Sequence, residues 1–205
     1  MFNSVAYLFT HSAQPSSGGG KGIKLSKNIK GNQNSLQYNN SQFNFTKRHY
    51  LSANQSGLKI FSDYLSHQNT NELHEIIIQS IHFFSSAISN WDLHLRCINM
   101  ITILESIFLK DDERGDMEHK TKARLSKILS NQHNEKERIK TVFTNIYQVR
   151  HKMIHKAKRI MIDYKELSEA QMIMINLFLK LIQLNTESSF TDKATLIGKL
   201  NEIKS

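Results

Sequence analysis

The sequence predicts an all-α protein: an antiparallel bundle of four main helices plus a short one, preceded by a loose N-terminal segment. Three observations predict this class. Beyond residue 57, apolar residues recur at spacings of three and four, which places them on one face of a helix. Only one proline occurs in 205 residues, so little interrupts helical hydrogen bonding. Hydrophobic residues make up 39% of the chain, enough for one buried core.

Residues 1–57 are expected to form a flexible polar segment or the remnant of an upstream domain. They are rich in Ser, Asn, Gln and Gly, and they hold six Lys or Arg residues with no Asp or Glu. Such a composition buries little apolar area. Within it, "GGGKG" lacks the spacing of a phosphate-binding loop and is interpreted as a linker. The helical domain is placed at residues 58–190, followed by a C-terminal helix or tail at residues 191–205.

Capping residues and apolar spacing predict the first helices of the domain. "GLKIFSDYLSH" can form a short helix. Asn71 and Asp92 are placed to begin two long helices, because their short side chains accept hydrogen bonds from a first helical turn. The expected apolar stripes of these helices are Leu73, Ile76, Ile77, Ser80, Ile81, Phe84 and Ile88, and then Leu93, Cys97, Met100, Ile101, Leu104 and Phe108.

The later helices follow a charged loop around Gly115. A short helix is predicted over about 118–130 and is ended by "NQHN". The fourth long element runs from Glu135 to about Lys156, and a fifth, apolar enough for the core of a bundle, covers about 166–185. "TDKATLIGKLNEIK" predicts a last helix. The buried stripe of the fourth element is expected to be Ile139, Val142, Phe143, Ile146, Val149, Met153 and Ile154.

Composition also narrows the class of protein. The single Cys97 excludes an internal disulfide framework and a zinc site built on cysteines, and it fits a reducing, cytoplasmic compartment. No apolar run reaches about 18 residues, so no membrane span is expected. The net charge is +9, and residues 110–160 hold 14 basic and 7 acidic residues. Such a basic region suits a phosphate-bearing partner, although a merely solvated face has the same composition.

The segment "VRHKMIH", residues 149–155, carries the candidate chemistry. His151 and His155 are four residues apart and share a helix face, which Tyr147 extends by one turn. Arg150 lies about 140° from His155 around the helix, so these two side chains do not share a face. A histidine can take the proton of a ribose 2′-hydroxyl, and an arginine can hold the attacked phosphate. Metal-independent cleavage of RNA, with no cofactor, is therefore one interpretation.

Two other interpretations of the segment stay open. Two histidines four residues apart on a helix can bind zinc, but Lys152 occupies the position where a zincin has glutamate, so no metal is expected. The segment can also be a plain helix end whose cations contact the last carbonyl groups. The spacing alone decides little, because Arg114 and His119 repeat it in a charged loop.

Two stretches resemble the HEPN family. "IYQVRHKMIH" resembles the HEPN signature of an arginine, a polar residue, three variable positions and a histidine, matched in this chain by Arg150, His151 and His155. "RCINMITILESIF" resembles the second helix of the Apea-like HEPN branch. In that stretch Arg96 precedes an apolar run that ends in Leu104, Glu105, Ile107 and Phe108. The resemblance covers about residues 58–185.

The resemblance implies an HEPN-type bundle that often dimerises through its motif helices, so that paired motifs form one cleft. It also implies a metal-independent endoribonuclease, commonly a toxin or an antiviral defence effector, for which an inhibitory protein partner is a further expectation. Arg150 and His155 would be catalytic, His151 a polar auxiliary and Glu105 a supporting acid. For Glu105, an exposed carboxylate or a partner of Arg96 is the alternative.

The cations that flank the motif have an expected role, and the sequence departs from the family pattern at two places. Lys152, Lys156, Lys158 and Arg159 would attract the RNA backbone, or would form a solvated helix end. Ala157 stands where one HEPN branch has a tyrosine that a partner nucleotidyltransferase modifies. Residues 1–57 are shorter and more polar than the domain that precedes the bundle in Apea-like proteins. The alternatives are a non-catalytic HEPN module that binds RNA or a protein, and an unrelated bundle with a chance match.

Overall fold

The structure, a computed structural model, describes residues 57–66, 71–187 and 190–203. Within these ranges the chain forms seven helices and no strand, which confirms the predicted all-α class. The segment predicted to be loose, residues 1–57, lies outside the described residues except for Gly57. The helices are α1 (Leu58–Leu65), α2 (Glu72–Ile88), α3 (Leu93–Phe108), α4 (Met117–Leu129), α5 (His133–Lys156), α6 (Tyr164–Glu187) and α7 (Lys193–Glu202).

The core lies between the four longest helices, α2, α3, α5 and α6. Helix α3 packs on α2, α4 and α5, and α6 closes the bundle against α2, α4 and α5. Each of the four contributes one fully buried phenylalanine: Phe84, Phe108, Phe143 and Phe178. Burying such a ring contributes roughly 1.5–3 kcal/mol relative to leaving it exposed. Helix α7 joins the same core through Leu196 and Leu200.

The predicted helix starts are confirmed where a cap was identified. Asn71 Oδ1 accepts a hydrogen bond from the His74 amide at 2.9 Å, and Asp92 Oδ1 accepts one from the His94 amide at the same distance. Other boundaries differ by a few residues. Helix α5 begins at His133, two residues before the predicted start, and the charged loop ends before Met117.

Ile154 is the one member of the predicted α5 stripe that is exposed. Its side chain is 54% exposed, whereas Val149 is buried and Met153 is half-buried. Helical register does not account for this, since Ile154 lies only about 20° around the axis from Phe143, which is fully buried. Ile154 instead lies in the last turn of α5, where His155 and Lys156 are exposed as well. An exposed apolar residue is therefore placed next to His155, at the end of the motif helix.

Among the described residues, one helix is long and apolar enough to cross a membrane, α6. Half of its most apolar window is buried inside the fold, including Met174, Leu177 and Phe178. A core helix of a bundle passes the same test of length and composition. Its apolar character is accounted for by the packing of the four long helices.

Candidate active site

Arg150 and Glu105, each named from a different sequence motif, contact one another across α5 and α3. Arg150 Nη1 donates a hydrogen bond to Glu105 Oε1 at 2.5 Å, and the two side chains are 28% and 16% exposed. Glu105 is thus neither an exposed carboxylate nor the partner of Arg96, whose guanidinium donates to the Asn90 carbonyl. The pair fixes the Arg150 guanidinium, neutralised by the Glu105 carboxylate, where the two motif helices meet.

Tyr147 also contacts Glu105, which sequence reasoning did not anticipate. Its hydroxyl donates to the same Glu105 Oε1 at 3.3 Å, and its ring is buried rather than extended along the histidine face. Burial raises the pKa of the Tyr147 phenol, so the hydroxyl keeps its proton and remains a donor. The three-residue spacing to Arg150 was the available signal, because residues i and i+3 are neighbours on a helix.

His151 and His155 form a second pair on the exposed side of α5. Their ring centroids are 4.9 Å apart, and both side chains are exposed. Their four-residue spacing on a continuous helix produces this contact, as predicted. The described chain therefore joins Arg150 to Glu105 and His151 to His155, with the guanidinium directed toward α3 and the imidazoles in contact with each other.

The end of α5 is capped by its own backbone. Ala157 adopts a left-handed conformation with φ of 48°, and the Lys158 amide donates to the Lys152 carbonyl at 3.0 Å. This arrangement satisfies a carbonyl of the last turn without a side chain. Arg150 makes its described hydrogen bond to Glu105 instead, so it does not serve as a helix-end cap.

The four flanking cations occupy different environments. Lys156 and Lys158 are exposed and Lys152 is half-buried. Arg159 Nη2 donates to Asp92 Oδ2 at 2.5 Å, which ties the segment after α5 to the first residue before α3. Lys156 and Lys158 are thus open to solvent, whereas Arg159 is already paired with a carboxylate.

Comparison of the chain with protein-family models, with curated proteins and with solved structures found no match. The HEPN resemblance therefore rests on the two sequence motifs alone and stays a prediction. What the fold adds is the contact between Glu105 of one motif and Arg150 of the other.

Two further features bear on what the site could bind. In the part of the chain that the structure describes, no group of three or more His, Cys, Asp or Glu side chains is arranged to hold a metal ion. A groove of about 870 Å³ lies elsewhere, lined by residues of α2, α3 and the start of α7, including Glu75, Phe83 and Thr102. None of the predicted site residues lines that groove. The candidate site is a surface at the end of α5.

Proposed function

We propose that the chain is a metal-independent endoribonuclease of the HEPN type. The observation that carries this proposal is the ion pair between Arg150 and Glu105, which links the two HEPN-like motifs at one place on the fold.

Each residue of the site has a role in the proposed reaction. A neutral His155 imidazole takes the proton of the ribose 2′-hydroxyl, and the freed oxygen attacks the neighbouring phosphorus. The bond from phosphorus to the 5′-oxygen breaks, and a protonated His151 returns a proton to that leaving oxygen. The products are a 2′,3′-cyclic phosphate and a free 5′-hydroxyl, and no metal or cofactor enters the balance.

Arg150 stabilises the charge that develops on the phosphate in this reaction. Among the described residues only its Nη1 is engaged, which leaves Nε and Nη2 for two phosphate oxygens. Glu105, which also accepts a hydrogen bond from Tyr147, holds the guanidinium in place, so little reorganisation is needed when the substrate binds. This makes Glu105 a positioning residue rather than a group that touches RNA.

The working form in this proposal is a homodimer paired through the α5 ends. Arg150 and His155 lie on different sides of one helix, so a second copy supplies the missing neighbour for each. Ile154, Met161 and Tyr164 are exposed around this helix end, and a partner copy would remove their apolar surface from water. One isologous contact thus completes the cleft and covers the apolar residues.

Cleavage of single-stranded RNA in the presence of EDTA tests this function. Wild type should cut, whereas Arg150→Ala and His155→Ala should lose roughly 10²–10⁴-fold in rate, the range contributed by one acid–base group or one charge-stabilising donor. His133→Ala is the matched control, since His133 is exposed at the opposite end of the same helix. Full activity of His155→Ala, or cleavage that EDTA abolishes, would exclude this mechanism.

The second candidate function is a non-catalytic module that binds RNA or a protein. It is favoured by the neutralisation of Arg150 by Glu105, which a phosphate must overcome. In that case the same assay shows salt-dependent RNA binding without cleavage. Sizing chromatography adds a separate check, because a strict monomer would argue against the paired cleft.

A further inference from the structure

Trp91 is an exposed aromatic side chain in the connection between α2 and α3. It is the only tryptophan of the chain, and its side chain is 80% exposed. Indole rings bury large apolar areas in most folded proteins, so one held at the surface can contact a ligand. Exposed aromatic rings beside lysine and arginine are the usual means by which proteins hold single-stranded nucleic acid.

Two contacts of the residues that follow Trp91 hold the start of α3 beside the cationic segment after the motif helix. The next residue, Asp92, accepts the hydrogen bond of Arg159. Two residues further on, His94 Nε2 is 2.9 Å from the Ile160 carbonyl oxygen, within hydrogen-bonding distance. The start of α3 is therefore tied to residues 159–160. Residues 150–159 carry five Lys or Arg residues and no acidic residue. Arg150 and Arg159 are paired with Glu105 and Asp92, so Lys152, Lys156 and Lys158 supply the net positive charge that a phosphate backbone would meet.

The candidate site lies at the other end of residues 150–159. Glu105, which pairs with Arg150, is thirteen residues after Asp92 on α3, a distance of about 20 Å along the helix. Helix α5 runs antiparallel to α3, so the chain passes from Arg150 near Glu105 to Arg159 near Asp92. An RNA strand whose phosphate is held at Arg150 would follow the lysines toward Trp91.

We propose that Trp91 stacks on an unpaired base a few nucleotides from the cleaved phosphate, and that the site thereby takes single-stranded RNA in preference to duplex. This inference rests on the proposed function, since it places the RNA at the same site. A base inside a duplex already stacks on its neighbours and has no free face for the indole, whereas an unpaired base has one.

Binding can be measured without cleavage in the full-length His155→Ala variant, with Trp91 as its own fluorescent reporter. Adding a mixed-sequence single-stranded RNA oligonucleotide in EDTA should quench the indole emission, and a duplex of the same sequence should not. In the same background, Trp91→Ala should weaken binding of the labelled single strand about five- to a hundredfold, the loss expected for one stacked base. Trp91→Phe should retain most of the affinity.

Phe83→Ala is the matched control, because Phe83 is another exposed aromatic residue but lines the groove on α2 and α3. It should leave RNA affinity unchanged. Equal affinity of the Trp91→Ala and parent proteins, or equal quenching by duplex, overturns the inference. The inference is also overturned if Trp91→Ala no longer forms dimers but binds RNA with unchanged affinity, because Trp91 would then contact a second copy of the chain rather than RNA.

The two proposals fail in distinguishable ways. If RNA binding depends on Trp91 but the wild-type protein never cleaves RNA, the ribonuclease proposal is rejected and the stacking site is supported. If the wild-type protein cleaves RNA, and Trp91→Ala cleaves and binds it equally well, the stacking site is rejected and the ribonuclease proposal is supported.

Discussion

Arg124 ties together three parts of the fold, and its replacement gives a prediction whose size follows from its contacts. Its Nη1 donates to Glu113 Oε2 at 2.6 Å and to the Phe108 carbonyl at 2.5 Å, and its Nη2 donates to Glu113 Oε1 at 2.8 Å. Nε donates to Asn201 Oδ1 at 3.1 Å. One side chain, only 7% exposed, therefore joins the end of α3, the loop after it and α7.

Arg124→Met keeps most of the apolar stem and removes the charge. It leaves the Glu113 carboxylate, 15% exposed, and the Phe108 carbonyl without these donors. Lys120 Nζ, 3.4 Å from Glu113 Oε1, still pairs with that carboxylate, so the cost comes mainly from the hydrogen bonds of the buried guanidinium. Removing one partner of a buried, multiply hydrogen-bonded ion pair costs about 3–5 kcal/mol. With a urea m-value of about 2 kcal/mol/M, the unfolding midpoint followed by circular dichroism should fall by about 1.5–2.5 M.

Arg150→Met provides the internal comparison. Arg150 is more exposed and makes one described hydrogen bond, so its loss should cost only about 1–2 kcal/mol. Adding Glu113→Gln to Arg124→Met should cost less than the sum of the two single changes, since a neutral amide needs no cation. A loss below about 1 kcal/mol for Arg124→Met, or one no larger than for Arg150→Met, would show that burial and hydrogen-bond number do not set the cost of losing an arginine in this fold.

Three further predictions concern the described fold. Hydrogen bonds from Arg124, with smaller contributions from the Lys110 amide and Lys120, lower the pKa of Glu113 from 4.5 to about 2. These contacts together stabilise the fold above pH 4.5 and lose up to about 3 kcal/mol as the pH falls towards 2. In Glu113→Gln, the urea unfolding midpoint should depend less on pH over that range. A pH dependence equal to that of the wild type would show that Glu113 is not the group that titrates. Burial raises the pKa of the Cys97 thiol to about 12, so a thiol reagent at neutral pH should label only unfolded protein, and rapid labelling of the native chain would show that the site opens. Phe143→Ala empties a fully buried position and should cost about 3–5 kcal/mol by thermal or urea unfolding, whereas a loss under about 1 kcal/mol would mean that the core collapses onto the gap.

Local signals in the sequence were sufficient for the helices. The caps at Asn71 and Asp92 and the three- and four-residue apolar spacing predicted where α2 and α3 begin and which faces they bury. These features depend on neighbours within one or two turns, so a single sequence contains them. The start of α5 was placed two residues late because no capping side chain marks it.

The apolar spacing in the sequence could not predict which side chains pair between helices. Glu105 is 45 residues from Arg150 and 42 from Tyr147, so these contacts depend on how α3 and α5 pack. Arg96, nine residues earlier on the same helix, lies about 13.5 Å away along the axis and on the opposite face. Burial of Tyr147 and exposure of Ile154 follow from the same packing. Residue types at this site could therefore be named from the sequence, whereas the pairs that they form required the fold.

RNA cleavage by 2′-hydroxyl attack is tested most directly by removing that hydroxyl. The bond that the wild-type protein cuts in a single-stranded RNA is first mapped in EDTA, and the nucleotide on its 5′ side is then replaced by its 2′-deoxy form. The proposed chemistry predicts that this bond becomes resistant while other sites are still cut, and that unmodified RNA ends in a 2′,3′-cyclic phosphate. Continued cleavage at the deoxy position, or failure of the protein to cut any RNA, would contradict it.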